Sequence, residues 1–192
     1  MRITYIVLII LALSFACASV YAARCMFVRP ANIGSGPVPE IQNLIGRDFD
    51  WAYLKTMYQQ NADIGALALL GSQEACDRPL RILSNKIISE RTDMNEDIRS
   101  WSWIYVNQVM QPAGTQRFVS LQRALSCLKG SDFDCAYASA MICLMQQSAD
   151  AADLAMEKST IPEVYRAARV VGRTNSNEIA ALKNWQCTGY LK

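Results

Sequence analysis

Phe49-Asp50-Trp51-Ala52-Tyr53-Leu54-Lys55-Thr56-Met57 returns 84 positions later as Phe133-Asp134-Cys135-Ala136-Tyr137-Ala138-Ser139-Ala140-Met141, with five of nine residues unchanged. The same shift carries Leu80 onto Val164, Leu83 onto Ala167, Ile87 onto Val171, Ile98 onto Leu182 and Trp101 onto Trp185. Apolar residues follow both copies at steps of three and four, the period of a helix, and no stretch alternates in period two for long. Each copy therefore reads as a helical hairpin whose long apolar stripe cannot be buried alone. Two such copies are expected to pack as four helices around a shared core. The residues expected inside are Phe49, Tyr53, Met57, Leu83, Ile87, Ile98, Phe133, Tyr137, Met141, Val171, Leu182 and Trp185.

Working outward, the chain divides into five stretches. Residues 1–22 read as a signal peptide, with Arg2 before the apolar run Ile3 to Phe15 and Val20-Tyr21-Ala22 before a cleavage point. Residues 23–47 form a Pro- and Gly-rich arm. The first hairpin occupies 48–110, with Pro79 in the first turn of its second helix and Pro112 with Gly114 beyond its end. A connecting short helix and turn fill 111–132, where Gly130 reads as a C-cap and Asp132 as the next N-cap. The second hairpin runs 133–192, and the repeats are expected to form one domain. No stretch after the leader is apolar enough to span a membrane, so the mature product is expected to be periplasmic or secreted.

Composition excludes several activities. The 192 residues contain no histidine, which removes Ser-His-Asp and Cys-His catalysis, H-E-x-x-H zinc sites and carboxylate-histidine iron sites. A net charge of +2 offers no basic surplus for nucleic acid. No Gly-x-Ser-x-Gly or P-loop string occurs, and Asp48, Asp50, Asp132 and Asp134 read as helix-start acids, so no catalytic residue is expected and the protein does not read as an enzyme. Beyond Cys17 in the leader stand Cys25, Cys76, Cys127, Cys135, Cys143 and Cys187. Six cysteines in an oxidising compartment are expected to pair fully, stabilising the bundle, with Cys127–Cys135 and Cys135–Cys187 as competing bridges.

The string F-D-x-A-Y-x-x-x-M opening a helix, then Pro162-Glu163-Val164, then Asn177-Glu178-Ile179-Ala180-Ala181-Leu182-Lys183-Asn184-Trp185, resembles an exported ferritin-like family of unknown function linked to copper. Arg91-Thr92-Asp93-Met94-Asn95 is similar to the second helix of another exported ferritin-like family, which carries D-H-T-x-x-N there. The resemblance implies an all-α, ferritin-like four-helix bundle. In the copper-linked family a His-His pair follows the shared methionine by three and four residues. This chain has Gln60-Asn61 after Met57 and Leu144-Met145 after Met141, and Arg91 and Asn175 where the second pattern would place its histidine.

The expectation that follows is a divergent relative without histidine and without cofactor: a non-catalytic exported interaction protein, of inhibitor or immunity type. Its partner would be another exported protein or a second copy. Buried ion pairs Asp63–Arg91 and Asp150–Arg173, level across their hairpins, would replace the lost site. Trp51 and Trp103, off the main stripe, are candidate interface anchors. The alternative is periplasmic handling of copper or another soft metal. Met141-Ile142-Cys143-Leu144-Met145 places two thioethers one turn apart, Met57 faces them from the other hairpin, and Met156 lies further along. Such donors suit Cu(I) without imidazole.

Overall fold

The computed structural model describes residues 33–110 and 116–188, with the side chains of Gln116, Arg117, Cys187 and Thr188 outside the description. It is all-helical: α1 (Val38–Ile41), α2 (Gly46–Glu74), α3 (Arg78–Val106), α4 (Gln116–Ser126), α5 (Gly130–Lys158) and α6 (Pro162–Thr188). Both starts and the turn of the second hairpin lie 84 residues after their counterparts, 46 to 130, 74 to 158 and 78 to 162. Gly46 and Gly130 open their helices with φ of +56° and +58°, the left-handed conformation that glycine adopts without strain. The expected boundaries move accordingly. The arm contains α1 and ends at Ile45, the first hairpin starts at Gly46 and ends at Val106, and Gly130 begins a helix rather than closing one. The expected signal peptide lies outside the described residues.

Helix α3 starts where Asp77 accepts from Leu80 N at 3.0 Å and Pro79 presets the first turn, and it stops at Asn107 in a left-handed conformation. Helices α2 and α3 pack along one another, as do α5 and α6, and α2 packs against α5. Helices α3 and α6 meet more sparingly, leaving a cleft between them.

What joins the hairpins is a reciprocal clamp that the sequence reading assigned to simple capping. Asp134, at the start of α5, accepts from Cys76 N at 2.9 Å and Asp77 N at 3.0 Å in the α2–α3 turn. Asp50, at the start of α2, accepts from Ser159 Oγ and Thr160 Oγ1, each at 2.6 Å, in the α5–α6 turn. Both carboxylates are wholly buried. Each repeat's first helix therefore holds the turn of the other, which runs α2 and α5 antiparallel and sends the two motifs to opposite ends.

The apolar core is consequently divided. Phe133, Tyr137, Met141, Leu80, Ile87, Leu182 and Trp185 fill one end, covered by Leu121 and Leu125 of α4. Phe49, Tyr53, Met57, Ile98, Val164 and Val171 fill the other, covered by Ile41 of α1. The expectation of one core joining Phe49 to Phe133 is corrected: the twofold relation separates them, and polar residues lie midway. Eleven of the twelve residues expected inside are buried, and Leu83 is half-buried at the cluster edge. Within each end Phe49 stacks on Tyr53 (6.3 Å between ring centres) and Phe133 on Tyr137 (5.9 Å). A Cβ on Gly71 would lie 2.2 Å from the Tyr137 ring, so glycine there lets the helices approach.

Full disulfide pairing is also corrected. Cys76 and Cys127 are exposed free thiols, and the Cys143 thiol accepts from Gln147 Nε2 at 3.9 Å. Cys135 is disulfide-bonded, but no complete pair lies among the described side chains. The Cys127–Cys135 bridge does not form, because the turn at Gly130 leaves Cys127 facing solvent while Cys135 points inward. Cys25 and the side chain of Cys187 lie outside the described residues.

Asp134→Ala should strip two backbone N–H groups of a charged acceptor, costing about 1.5–3 kcal/mol for each bond, visible as a lower urea midpoint. Gly71→Ala should destabilise by about 1–3 kcal/mol through overpacking against Tyr137.

Candidate functional site

Between the two apolar ends the bundle carries a polar layer. Arg91 on α3, 1% exposed, donates through Nη2 to Asn175 Oδ1 at 2.8 Å and to Glu178 Oε2, both on α6. Asn175 is the residue 84 positions after Arg91, so the twofold axis of the duplication passes between them. Asn175 Nδ2 donates to Ser148 Oγ at 2.9 Å, and Ser148 Oγ in turn lies 3.9 Å from Met57 Sδ. Asn61, one turn after Met57 and wholly buried, has no hydrogen-bond partner for either amide atom, and the same holds for Gln60.

The expected Asp63–Arg91 pair is corrected. Gly65 is the α2 residue level with Arg91, its Cβ position lying 3.7 Å from Arg91 Cβ and its missing side chain making room. Asp63, two residues earlier, points to another face of the helix and accepts from Gln59 Nε2 at 3.1 Å. The expected Asp150–Arg173 pair is corrected as well: both residues are exposed, and Asp150 accepts from Gln146 one turn away. Glu178 was missed although it was legible. Val171, Asn175, Glu178, Leu182 and Trp185 form an inward stripe at steps of three and four, and a carboxylate on that stripe needs a buried cation.

The electrostatics follow from burial. Desolvation pushes the Glu178 carboxyl up to about 8, against the pull of Arg91 and with the nearby carboxyl of Glu90 adding to the rise. Partial burial would raise Glu90 too, but Glu178, Lys86 and Arg91 outweigh it and hold it below the usual carboxylate range. Burial lowers the Arg91 guanidinium, opposed by both carboxyls. Beyond Glu178, Glu90 is paired with Lys86 at 3.3 Å, which leads toward solvent.

Of the soft-metal candidates, Met57, Met141 and Met145 are buried toward the bundle interior. Cys143 is set apart, because residues two positions from Met141 and Met145 leave the helix on another face, where Gln147 and the segment near Gly34 meet it. Met156 is half-buried at the Phe49 end. Met57 also lines a cavity of about 370 Å³ between α3 and α6, with Met94 and Trp101. Trp51 borders a cavity beneath the 35–41 segment and Trp103, 59% exposed, borders a neighbouring one, with Val109 and Met110 lining both.

No protein-family model matches the sequence, and no curated protein resembles it. Solved structures do. CopM in its Cu(I)-bound form superposes with a TM-score of 0.64 at 20% identity, covering 73% of this chain and 97% of that one. CopM co-crystallised with silver gives 0.62 at 21%, over 73% and 97%. Apo CopM gives 0.62 at 20%, over 73% and 98%. The bundle has the CopM fold. This corrects the expectation that the chain works without a cofactor, because CopM was solved with Cu(I), Cu(II) and silver bound, so a metal-free role does not follow from the architecture. The specifically ferritin-like assignment gains no such support. Among the described residues no helix is long and apolar enough to cross a membrane.

No group of three or more Cys, Asp and Glu residues that could hold an ion occurs among the described residues, which speaks against a hard-ligand site. Thioethers beside an unpartnered buried amide fit a soft, monovalent ion.

Glu178→Ala should strand Arg91 in the interior and cost about 3–5 kcal/mol. Because the folded-state pKa of Glu178 lies above its unfolded value of 4.5, its contribution is complete below that value and is lost as pH rises toward about 8. Thermal melts should therefore show wild-type stability declining from pH 5 to 8 relative to Glu178→Gln.

Proposed function

We propose that this is an exported, non-catalytic protein that binds Cu(I) or an equally soft monovalent metal through buried methionine thioethers. The observation that carries the reading is the Met57 Sδ contact with Ser148 at 3.9 Å. It sets the α2 thioether against the turn of α5 that bears Met145, with Met141 one turn earlier. At the two positions where the copper-linked family has the second histidine of its pair, this chain offers the unpartnered Asn61 amide and the Met145 thioether.

Met57 and Met145 would hold the ion, with Asn61 supplying an oxygen, whereas Met141 lies a further turn away in the core of the Phe133 end. The metal is cargo, bound and released. Soft sulfur donors favour Cu(I) and Ag(I) over Cu(II), and a chain without imidazole has little to offer Cu(II). The leader pattern at residues 1–22 supports export, and the CopM fold supports the metal class.

Anaerobic titration against a chromophoric Cu(I) chelator should show about one Cu(I) per chain, competed by Ag(I). Met57→Leu and Met145→Leu should each weaken binding by about ten-fold or more, equivalent to about 1.4 kcal/mol, while Cys143→Ser leaves it unchanged. Failure to retain Cu(I) against the chelator, or retention unaffected by both methionine substitutions, would overturn the reading.

A further inference from the structure

The duplication makes each half of the bundle a control for the other. In one half, Tyr137 Oη is 2.7 Å from Ser84 Oγ, with Leu83 beside it on the same helix. In the other half the equivalents 84 positions on are Ala168 and Ala167, so Tyr53 Oη loses its partner and the groove loses a branched side chain. Tyr53 is 1% exposed, and its hydroxyl has no hydrogen-bond partner.

The same half diverges elsewhere. Trp185 is tied by its indole N–H to Asp77 at 3.0 Å, whereas the residue 84 positions after Asp77 is the apolar Ile161, and Trp101 lines the cavity instead. Glu178, locked to Arg91, is answered across the axis by the half-buried thioether of Met94. The product of these exchanges is the cavity of about 370 Å³ between α3 and α6, a volume suited to a small molecule.

Its chemistry is graded with depth. Apart from the charged rim, the lining is apolar except for the Tyr53 and Thr174 hydroxyls. The α3 rim carries Asp93 and Asp97, with Glu90 paired to Lys86 at 3.3 Å, while Arg166 on the α6 rim is engaged by Glu163 at 3.0 Å. Trp101 lies between floor and rim, where its face would attract a cation.

We propose that the α3–α6 cavity is a binding site for an amphiphilic aromatic amine, its ammonium at the Asp93–Asp97 rim and a polar group at its aromatic end on the Tyr53 hydroxyl. This is a site for an organic cation, separate from the thioether reading although Met57 forms part of the wall. It needs no metal.

Calorimetric titration of the mature protein with tyramine tests it. Tyramine should bind, phenethylamine should bind about three- to ten-fold more weakly, and 3-(4-hydroxyphenyl)propionate should not bind measurably. Tyr53→Phe should erase the difference between the two amines. Ala167→Leu installs the residue that the other repeat already carries, so it should melt at or above the parent, abolish amine binding and leave Cu(I) uptake unchanged. Equal binding of the propionate, full amine binding in a folded Ala167→Leu protein, or no heat with tyramine at millimolar concentration would each overturn the proposal. A protein that takes tyramine but not Cu(I) would support this site while removing the metal reading.

Discussion

The two buried carboxylates, Asp50 and Asp134, hold the structure in register. Each lies within the first turn or two of a long helix and accepts hydrogen bonds from the interhelical turn of the other hairpin. A helix N-terminus already favours negative charge, and the donors of the opposite turn satisfy the remaining lone pairs, so burial costs little. Hairpins that merely pressed apolar faces together could slide by a turn. Hairpins fastened at both ends by charge-assisted hydrogen bonds cannot, and the 84-residue correspondence of helix boundaries is preserved in space as a twofold axis.

From that axis follows the layered interior. Because the clamps run α2 and α5 antiparallel, the aromatic pairs go to opposite ends and the chain's most polar inward positions meet in the middle. Arg91 and Asn175, equivalent by duplication, touch there. Like residues on the axis would put two cations, or two identical amides, face to face. Divergence into Arg and Asn, with Glu178 opposite Met94, resolves this with a donor, an acceptor and one compensating charge. The layer remains under-satisfied at Gln60 and Asn61, and an apolar replacement of that volume would stabilise the fold more.

Divergence between halves is where function is to be sought. Of the residues that stayed the same, Phe, Asp and Tyr of the repeated motif build and fasten the ends. The residues that changed, Leu83 against Ala167, Ser84 against Ala168 and Arg91 against Asn175, create the cavity and the polar layer. The expected exported interaction protein drew on Trp51 and Trp103, which border neighbouring cavities. The copper alternative drew on Met57, Met141 and Met145, whose helices the structure brings together at Ser148.

Sequence alone determined the helical class, the duplication, its period and nearly all of the interior, because period and burial are local properties of each helix. It could also have named Glu178, which sits on an inward stripe. Pairings were another matter. Level matching along a hairpin selected Asp63 for Arg91, yet rotation about the helix axis placed Gly65 there, and the partner came from α6 in the other repeat. The Asp50 and Asp134 clamps looked like ordinary caps, since a carboxylate at a helix start has the same local signature whether it serves its own N-terminus or a distant turn. Cysteine parity likewise carried no information on geometry, and Cys76 and Cys127 face solvent as thiols. These contacts join residues 57 to 110 positions apart, and only the packing of one hairpin on the other decides which side chains share the interior.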